Sequence, residues 1–111
     1  MDIRKINDDY SVSPQIDAED VDIVSLHGFR SIVCHRPDHE QPEQPEFAAI
    51  AARARELGIE VRHIPVAPSG PTVEAVSSMA EALAELPGPV LGYCRSGARS
   101  TKIFEQALLP L

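Results

Sequence analysis

The chain has 111 residues, 43% of them hydrophobic and 24% charged, which is one domain's worth of sequence (residues 1–111) and a composition that excludes disorder throughout. Ten Lys and Arg face 17 Asp and Glu, a formal charge of −7, and so acidic a chain is ill suited to nucleic acid or an anionic membrane surface, whose phosphates need surplus cations. No apolar run approaches the roughly 20 residues of a bilayer span, and the start MDIRKINDDY has no apolar stretch of a secretory leader; a cytoplasmic location is expected, where two cysteines are structural, metal-binding or catalytic rather than a disulfide framework.

Short strands are predicted at Ile3 to Ile6 and Tyr10 to Ser13, around an Asn7-Asp8-Asp9 turn. Asp17 is placed as the N-cap of a helix running to about Leu26, with Ile16 and Val21 as a hydrophobic staple and Gly28 as its stop. Ser31 to Cys34 is a short buried strand. Arg36 to Glu46 contains three prolines and is loop. Phe47, Ile50, Ala51, Ala54 and Leu57 recur at helical spacing before Gly58. Glu60 to Val66 follows as a strand. Pro71 suits the first position of the next helix, whose apolar face holds Val73, Val76, Ala80 and Leu83. Leu86 to Pro89 breaks that helix, Val90 to Tyr93 is a strand, and Ser100 to about Leu109 is a final helix.

Helices alternating with strands imply an α/β layer fold with a mostly parallel sheet. Ligands in such sheets gather beyond the carboxyl ends of the strands. The loops after Cys34, Val66 and Tyr93 should therefore meet.

The stretch Tyr93-Cys94-Arg95-Ser96-Gly97-Ala98-Arg99-Ser100 carries the most chemistry. A cysteine ends a strand, and a helix begins a few residues later. Inward-pointing amides of such a turn form an anion nest, and the helix N-terminus adds positive partial charge. Arg95 and Arg99 add full charges. All of these favour thiolate over thiol, so Cys94 is expected to titrate below the ordinary ~8.5. Gly97 gives the turn its freedom. Ser100 is placed either as a helix cap or as a hydroxyl donor to the cysteine sulfur. The bland alternative is a buried cysteine beside two solvated arginines.

Two known chemistries use a loop of this kind. Cys94 to Arg99 resembles the Cys-x-x-Gly-x-Arg loop of the rhodanese-like sulfurtransferases at every fixed position. The cysteine phosphatases have Cys-x5-Arg-Ser/Thr, and here only four residues separate Cys94 from Arg99. More of the chain, from about Ile3 to Phe104, resembles the small bacterial domain called beta-lactamase hydrolase-like, a phosphatase-like family also labelled as sulfur transferase. The segments GFRSIVCHRPDHEQP, LGIEVRHIPV and PGPVLGYCRSGARST carry that resemblance. It implies a three-layer sandwich with the dual-specificity/tyrosine-phosphatase-like fold. It also implies a persulfide dioxygenase of metallo-β-lactamase fold as a candidate partner, since the family occurs alone or fused to one. This chain is too short for that dioxygenase and lacks its His-x-His-x-Asp-His cluster.

In dual-specificity phosphatases an Asp after the strand resembling Arg62 to Val66 protonates the leaving group. Here that position holds Ala67-Pro68-Ser69-Gly70, with no carboxylate before Glu74. Sulfite and low-pKa thiolates leave without a proton. The sequence therefore favours a sulfurtransferase in which Cys94 takes a sulfane sulfur from thiosulfate or a persulfide and passes it to a thiol or cyanide. Cys94 and Arg99 are its catalytic pair. Arg95, Ser96, Gly97, Ala98, Ser100 and Arg36 are assigned to binding of the anionic donor. The alternatives are a cysteine phosphatase and a non-catalytic persulfide or anion sensor.

Cys34 is either a resolving thiol for a Cys94 persulfide or a small hydrophobe in a strand, the latter preferred. Asp38 is either a substitute acid or a turn residue paired with amides. Ser69 or Thr72 should cap the following helix. Cys34, His35, Asp38 and His39 fit no zinc spacing, so no metal and no cofactor are expected. The run Asp17, Glu19, Asp20, Asp22 is a solvated helix face.

Overall fold

The computed structural model describes residues 1–109. Its elements in chain order are β1 (Arg4–Lys5), β2 (Tyr10–Ser13), α1 (Ala18–Leu26), β3 (Ser31–Cys34), α2 (Phe47–Glu56), β4 (Glu60–His63), α3 (Val73–Glu85), β5 (Val90–Tyr93) and α4 (Ala98–Ala107). One five-stranded sheet has the order β1-β2-β5-β3-β4. Only β1 is antiparallel to its neighbour; β2, β5, β3 and β4 run parallel.

Residue alternation along the strands explains the layers, because successive side chains leave a strand on opposite faces. Along β3, Ile32 and Cys34 pack with Ile16, Val21, Val24, Ile50 and Ala54 of the α1/α2 side. Val33 between them packs with Met79, Ala82, Ile103 and Phe104 of the α3/α4 side. In β5, Val90 joins the second group, while Leu91 and Tyr93 join the first. Two apolar layers, each covered by a helix pair, make a three-layer sandwich. Fully buried Ile32, Leu91 and Met79 each contribute roughly 2 kcal/mol of apolar burial.

Helix ends follow local chemistry. Asp17 accepts from the Asp20 amide at 2.9 Å, and Asp20 accepts in return from the Asp17 amide at 3.1 Å, closing a capping box at the start of α1. Thr72 caps α3 by accepting from the Ala75 amide at 3.1 Å, so Pro71 lies outside the helix rather than at its first position. β4 stops at His63 instead of Val66 because the parallel register with β3 breaks there, the next two acceptors being the adjacent carbonyls of Cys34 and His35. The chain nonetheless stays beside β3, with Ile64 donating to Cys34 O at 2.9 Å and Val66 to His35 O at 2.8 Å. The last helix begins at Ala98, two residues before the expected Ser100. Gly97, at φ +97°, turns the chain and serves as its N-cap.

β5 is the centre of the sheet. The chain builds β2, skips a place to β3, adds β4 at the edge and then returns to fill the gap. The loop from β5 into α4 therefore rises between the ends of β2 and β3, where a parallel sheet collects its ligands.

Among the described residues, no helix is long and apolar enough to cross a membrane.

Candidate active site

Cys94 directly follows β5 and is fully buried. Its amide donates to Ser13 O at 3.4 Å, and Arg95 O accepts from the Gln15 amide at 3.3 Å, which ties the loop to the end of β2. The Gly97 amide donates to the Cys94 sulfur at 3.0 Å. Ser100 sits in the first turn of α4, and its buried hydroxyl makes no well-formed hydrogen bond among the described residues, so it acts on the sulfur by proximity alone. Burial alone would push the Cys94 thiol up. The Ser100 hydroxyl and the amides of Ser100, Ser96 and Gly97 outweigh it and hold the thiol below its ordinary value. The expected low-pKa cysteine is present, though its largest stabilising partners are neutral donors of the loop rather than the two arginines.

The other loop residues divide by exposure. Arg95, Ser96 and Ala98 are exposed, while Gly97 and Ser100 are buried. Ser96 Oγ accepts from the Ala98 amide at 3.3 Å, and its carbonyl accepts from Arg4 Nη2 at 3.3 Å. A Cβ at Gly97 would stand 2.7 Å from that same Arg4 nitrogen. Glycine is required at 97 by its dihedral, while the exposed end of Arg4 is free to move aside.

Arg99 brings the three expected loops together. Its Nη1 donates to Glu40 Oε2 at 2.6 Å and to Val66 O at 2.8 Å, and its Nη2 donates to Glu40 Oε1 at 2.9 Å. Glu40, in the loop after β3, also accepts from Arg36 Nε at 2.9 Å. The Arg99 and Arg36 guanidiniums overcome the cost of partial burial and hold the Glu40 carboxyl down at about 2. Glu40 was not singled out by the sequence. Its one signal was a carboxylate four residues after Arg36, in a loop whose course the prolines concealed.

Arg36 is 3% exposed, and its other nitrogens donate to Gln15 Oε1 at 3.2 Å and Gln41 Oε1 at 3.1 Å. So enclosed, it reaches the site through Glu40 rather than through a bound anion. Asp38 Oδ1 accepts from the Phe47 amide at 2.9 Å. It closes the free N-terminus of α2 and is committed there rather than directed at a leaving group. Cys34 is buried on the α1/α2 side and its thiol contacts Arg36 O at 3.4 Å. Burial pushes that thiol up to about 11. Cys34 shares the sheet face of Tyr93, its register partner; Cys94 follows one residue later, where the alternation reverses. Both cysteines are free. Cys34 thus sits as a buried side chain in the apolar layer of β3. Among the described residues, no group of three His, Cys, Asp or Glu side chains is placed to hold a metal.

A buried, activated thiol at the mouth of a strand, wrapped by amides and followed by an arginine in the first turn of a helix, on this sheet order, defines the cysteine-phosphatase scaffold. The structural relatives agree. A phosphatase-like protein from Neisseria meningitidis superposes with a TM-score of 0.86 at 30% identity, over 94% of this chain and 74% of that one. The core catalytic domain of the PP-IP phosphatase Siw14 from Saccharomyces cerevisiae superposes with a TM-score of 0.65 over 95% of this chain and 72% of that one, at 14% identity, a likeness of fold alone. More particularly, residues 2–108 match the family of the beta-lactamase hydrolase-like protein, phosphatase-like domain, and the chain belongs to it. The Beta-lactamase hydrolase-like protein of Xylella fastidiosa is 33% identical over 104 residues, which are 94% of this chain and 24% of that protein. The chain thus spans about a quarter of the length of that relative.

Proposed function

We propose that this phosphatase-like domain is a cysteine-dependent enzyme in which Cys94 attacks an anionic donor whose leaving group departs without a proton. The observation that carries the reading is the thiol itself: fully buried, yet held below its ordinary value by the Gly97 amide at 3.0 Å and by the Ser100 hydroxyl. Burial takes the Cys34 thiol the other way. The same amides that stabilise the thiolate are placed to bind the oxygens of a tetrahedral oxyanion.

The first reading is a cysteine phosphatase restricted to good leaving groups. The family description and the phosphatase-like relatives support it. The thiolate forms a bond to phosphorus as the bond to the leaving oxygen breaks, and water then releases phosphate from sulfur. Asp38 is occupied as a helix cap, and Ala67 to Gly70 offer no acid. Phenolates of low pKa or phosphate itself can leave unaided; alkoxides cannot.

A second reading is favoured by the loop, whose four residues between Cys94 and Arg99 resemble the sulfurtransferase spacing. The thiolate attacks the outer sulfur of thiosulfate, sulfite departs with the electron pair of the S–S bond, and the persulfide passes its outer sulfur to cyanide or a thiolate.

One experiment separates them. Wild type and Cys94→Ser are given p-nitrophenyl phosphate, an alkyl phosphate, and thiosulfate with cyanide. The phosphatase reading expects Cys94-dependent nitrophenolate and little alkyl phosphate hydrolysis. Thiocyanate without nitrophenolate moves the assignment to sulfur transfer. Neither product, with no adduct on Cys94, removes the enzyme reading.

A further inference from the structure

Five of the ten Lys and Arg side chains pair with a carboxylate among the described residues. Arg4, Arg95 and Lys102 are exposed and do not. Arg95 belongs to the Cys94 loop, and the other two flank it. Arg4 arrives from β1, at one edge of the sheet. Its Nη2 donates to Ser96 O at 3.3 Å, and its remaining N–H groups make no hydrogen bond among the described residues. Lys102 stands three residues after Arg99, on the same face of α4. That face meets the chain that follows β4, the strand at the opposite edge. Arg99 Nη1 reaches Val66 O at 2.8 Å, and Lys102 Nζ lies 3.9 Å from where a Cβ of Gly70 would stand. Carboxylates do not balance these cations. Glu40 is taken up by Arg99 and Arg36, Asp38 by the Phe47 amide, and Ala67 to Gly70 hold no acid. Cys94 is fully buried beneath this rim. Displacement at phosphorus is in line, so the departing group leaves on the side away from the sulfur, outward to the rim. There its developing charge meets an ammonium and a guanidinium rather than a carboxyl proton. Such a rim stabilises a leaving group that keeps its negative charge and does little for one that must be protonated.

We propose that Arg4 and Lys102 hold the leaving group, and that the substrates are phosphoanhydrides, donors whose departing group is itself a phosphate. This deepens the proposed function and rests on its phosphatase reading. The Cys94 thiolate bonds to the terminal phosphorus as the anhydride P–O bond breaks. The electron pair of that bond goes to the bridging oxygen, which departs as part of an unprotonated phosphate held by the two cations. Water then attacks the phosphorus, the S–P electron pair returns to sulfur, and one proton of the water passes to the released phosphate.

The test compares inorganic pyrophosphate, whose leaving group is a phosphate, with p-nitrophenyl phosphate, whose leaving group carries none, in metal-free buffer. The readout is the ratio of kcat/KM for the first to kcat/KM for the second. The full chain is assayed as wild type, Cys94→Ser, Arg4→Gln, Lys102→Gln, Lys102→Arg, the double variant Arg4→Gln/Lys102→Gln, and Arg55→Gln. Arg55 is an exposed cation of α2 beside the start of β4, at the end of the sheet away from Cys94. Arg4→Gln and Lys102→Gln should each lower the ratio by about fivefold, the upper range for an exposed ion pair. The double variant should lose more than either, as separate contacts do. Lys102→Arg keeps the charge and should keep most of the ratio. Arg55→Gln removes the same charge from the chain and should leave the ratio as in wild type. A ratio unmoved in the double variant, or lowered as far by Arg55→Gln, overturns the proposal. Cys94-dependent nitrophenolate without phosphate from pyrophosphate overturns it too and leaves the phosphatase reading standing. Absence of Cys94-dependent hydrolysis of either substrate removes both together.

Discussion

Tyr10 lies across Gly92 so closely that a Cβ at position 92 would overlap its phenolic oxygen. The ring stacks on Phe104 with centroids 4.1 Å apart, and the hydroxyl donates to Ser100 O at 3.0 Å. A missing side chain in the central strand thus lets β2 reach the first turn of α4, where the sulfur's donors sit. Gly92→Ala should destabilise the fold by up to about 3 kcal/mol, as overpacking of a full core does. Tyr10→Phe should cost only about 1 kcal/mol, the worth of one hydrogen bond. Urea unfolding of both variants checks the ranking; a neutral Gly92→Ala would refute the close contact.

The Cys94 thiol is held below its ordinary value, with the Ser100 hydroxyl the largest of the stabilising groups. Thiolate absorbance near 240 nm, followed against pH as wild type minus Cys94→Ser, should titrate below the free-cysteine range. Ser100→Ala should move that titration upward. Cys34, pushed up to about 11 by burial, should contribute no step below pH 9. A Cys94 step unmoved by Ser100→Ala would show that the amides alone hold the charge.

His35 is fully buried, with Nδ1 against Ile64 O at 2.9 Å and Nε2 without a partner among the described residues. Burial pushes its pKa down to about 4. Below pH 6.5 the unfolded chain binds a proton that the folded chain refuses. Stability attributable to this group is therefore complete above about pH 6.5 and falls as the pH drops toward 4, by on the order of 3 kcal/mol. Denaturant midpoints from pH 7.5 to 4.5 measure it. His35→Gln should flatten this part of the profile, and an equally steep profile in the variant would assign the loss elsewhere.

Glu40 gives a second, lower window. Its carboxyl, held at about 2 by Arg99 and Arg36, is ionised in the fold well below the ordinary carboxylate range. Its stabilisation is complete above pH 4.5 and is lost as the pH falls toward 2, by roughly 2 kcal/mol after allowance for its partial exposure. Glu40→Gln, compared with wild type between pH 5 and 2.5, should show the shallower acid limb.

The particulars divide by the range over which they are encoded. Asp17 as a cap, Ser31 to Cys34 and Val90 to Tyr93 as strands, and the Cys94 loop as a thiolate cradle were legible because caps, short buried runs and a strand-to-helix cysteine are local patterns. The start of α4 was misplaced by two residues because Ala98 and Arg99 resemble loop until Gly97 is seen at positive φ. Asp38, a candidate acid in the sequence, became the cap of a helix nine residues away. Arg36, a candidate anion contact, turned inward.

By itself, then, the sequence determined that a cysteine would be activated, and where, since its donors are neighbours in the chain. Only the tertiary structure decided that Glu40 meets Arg99 across 59 positions. Such a pairing depends on how the loops after β3 and β4 fold over α4, and no periodicity in a chain records the distance between side chains brought together by packing.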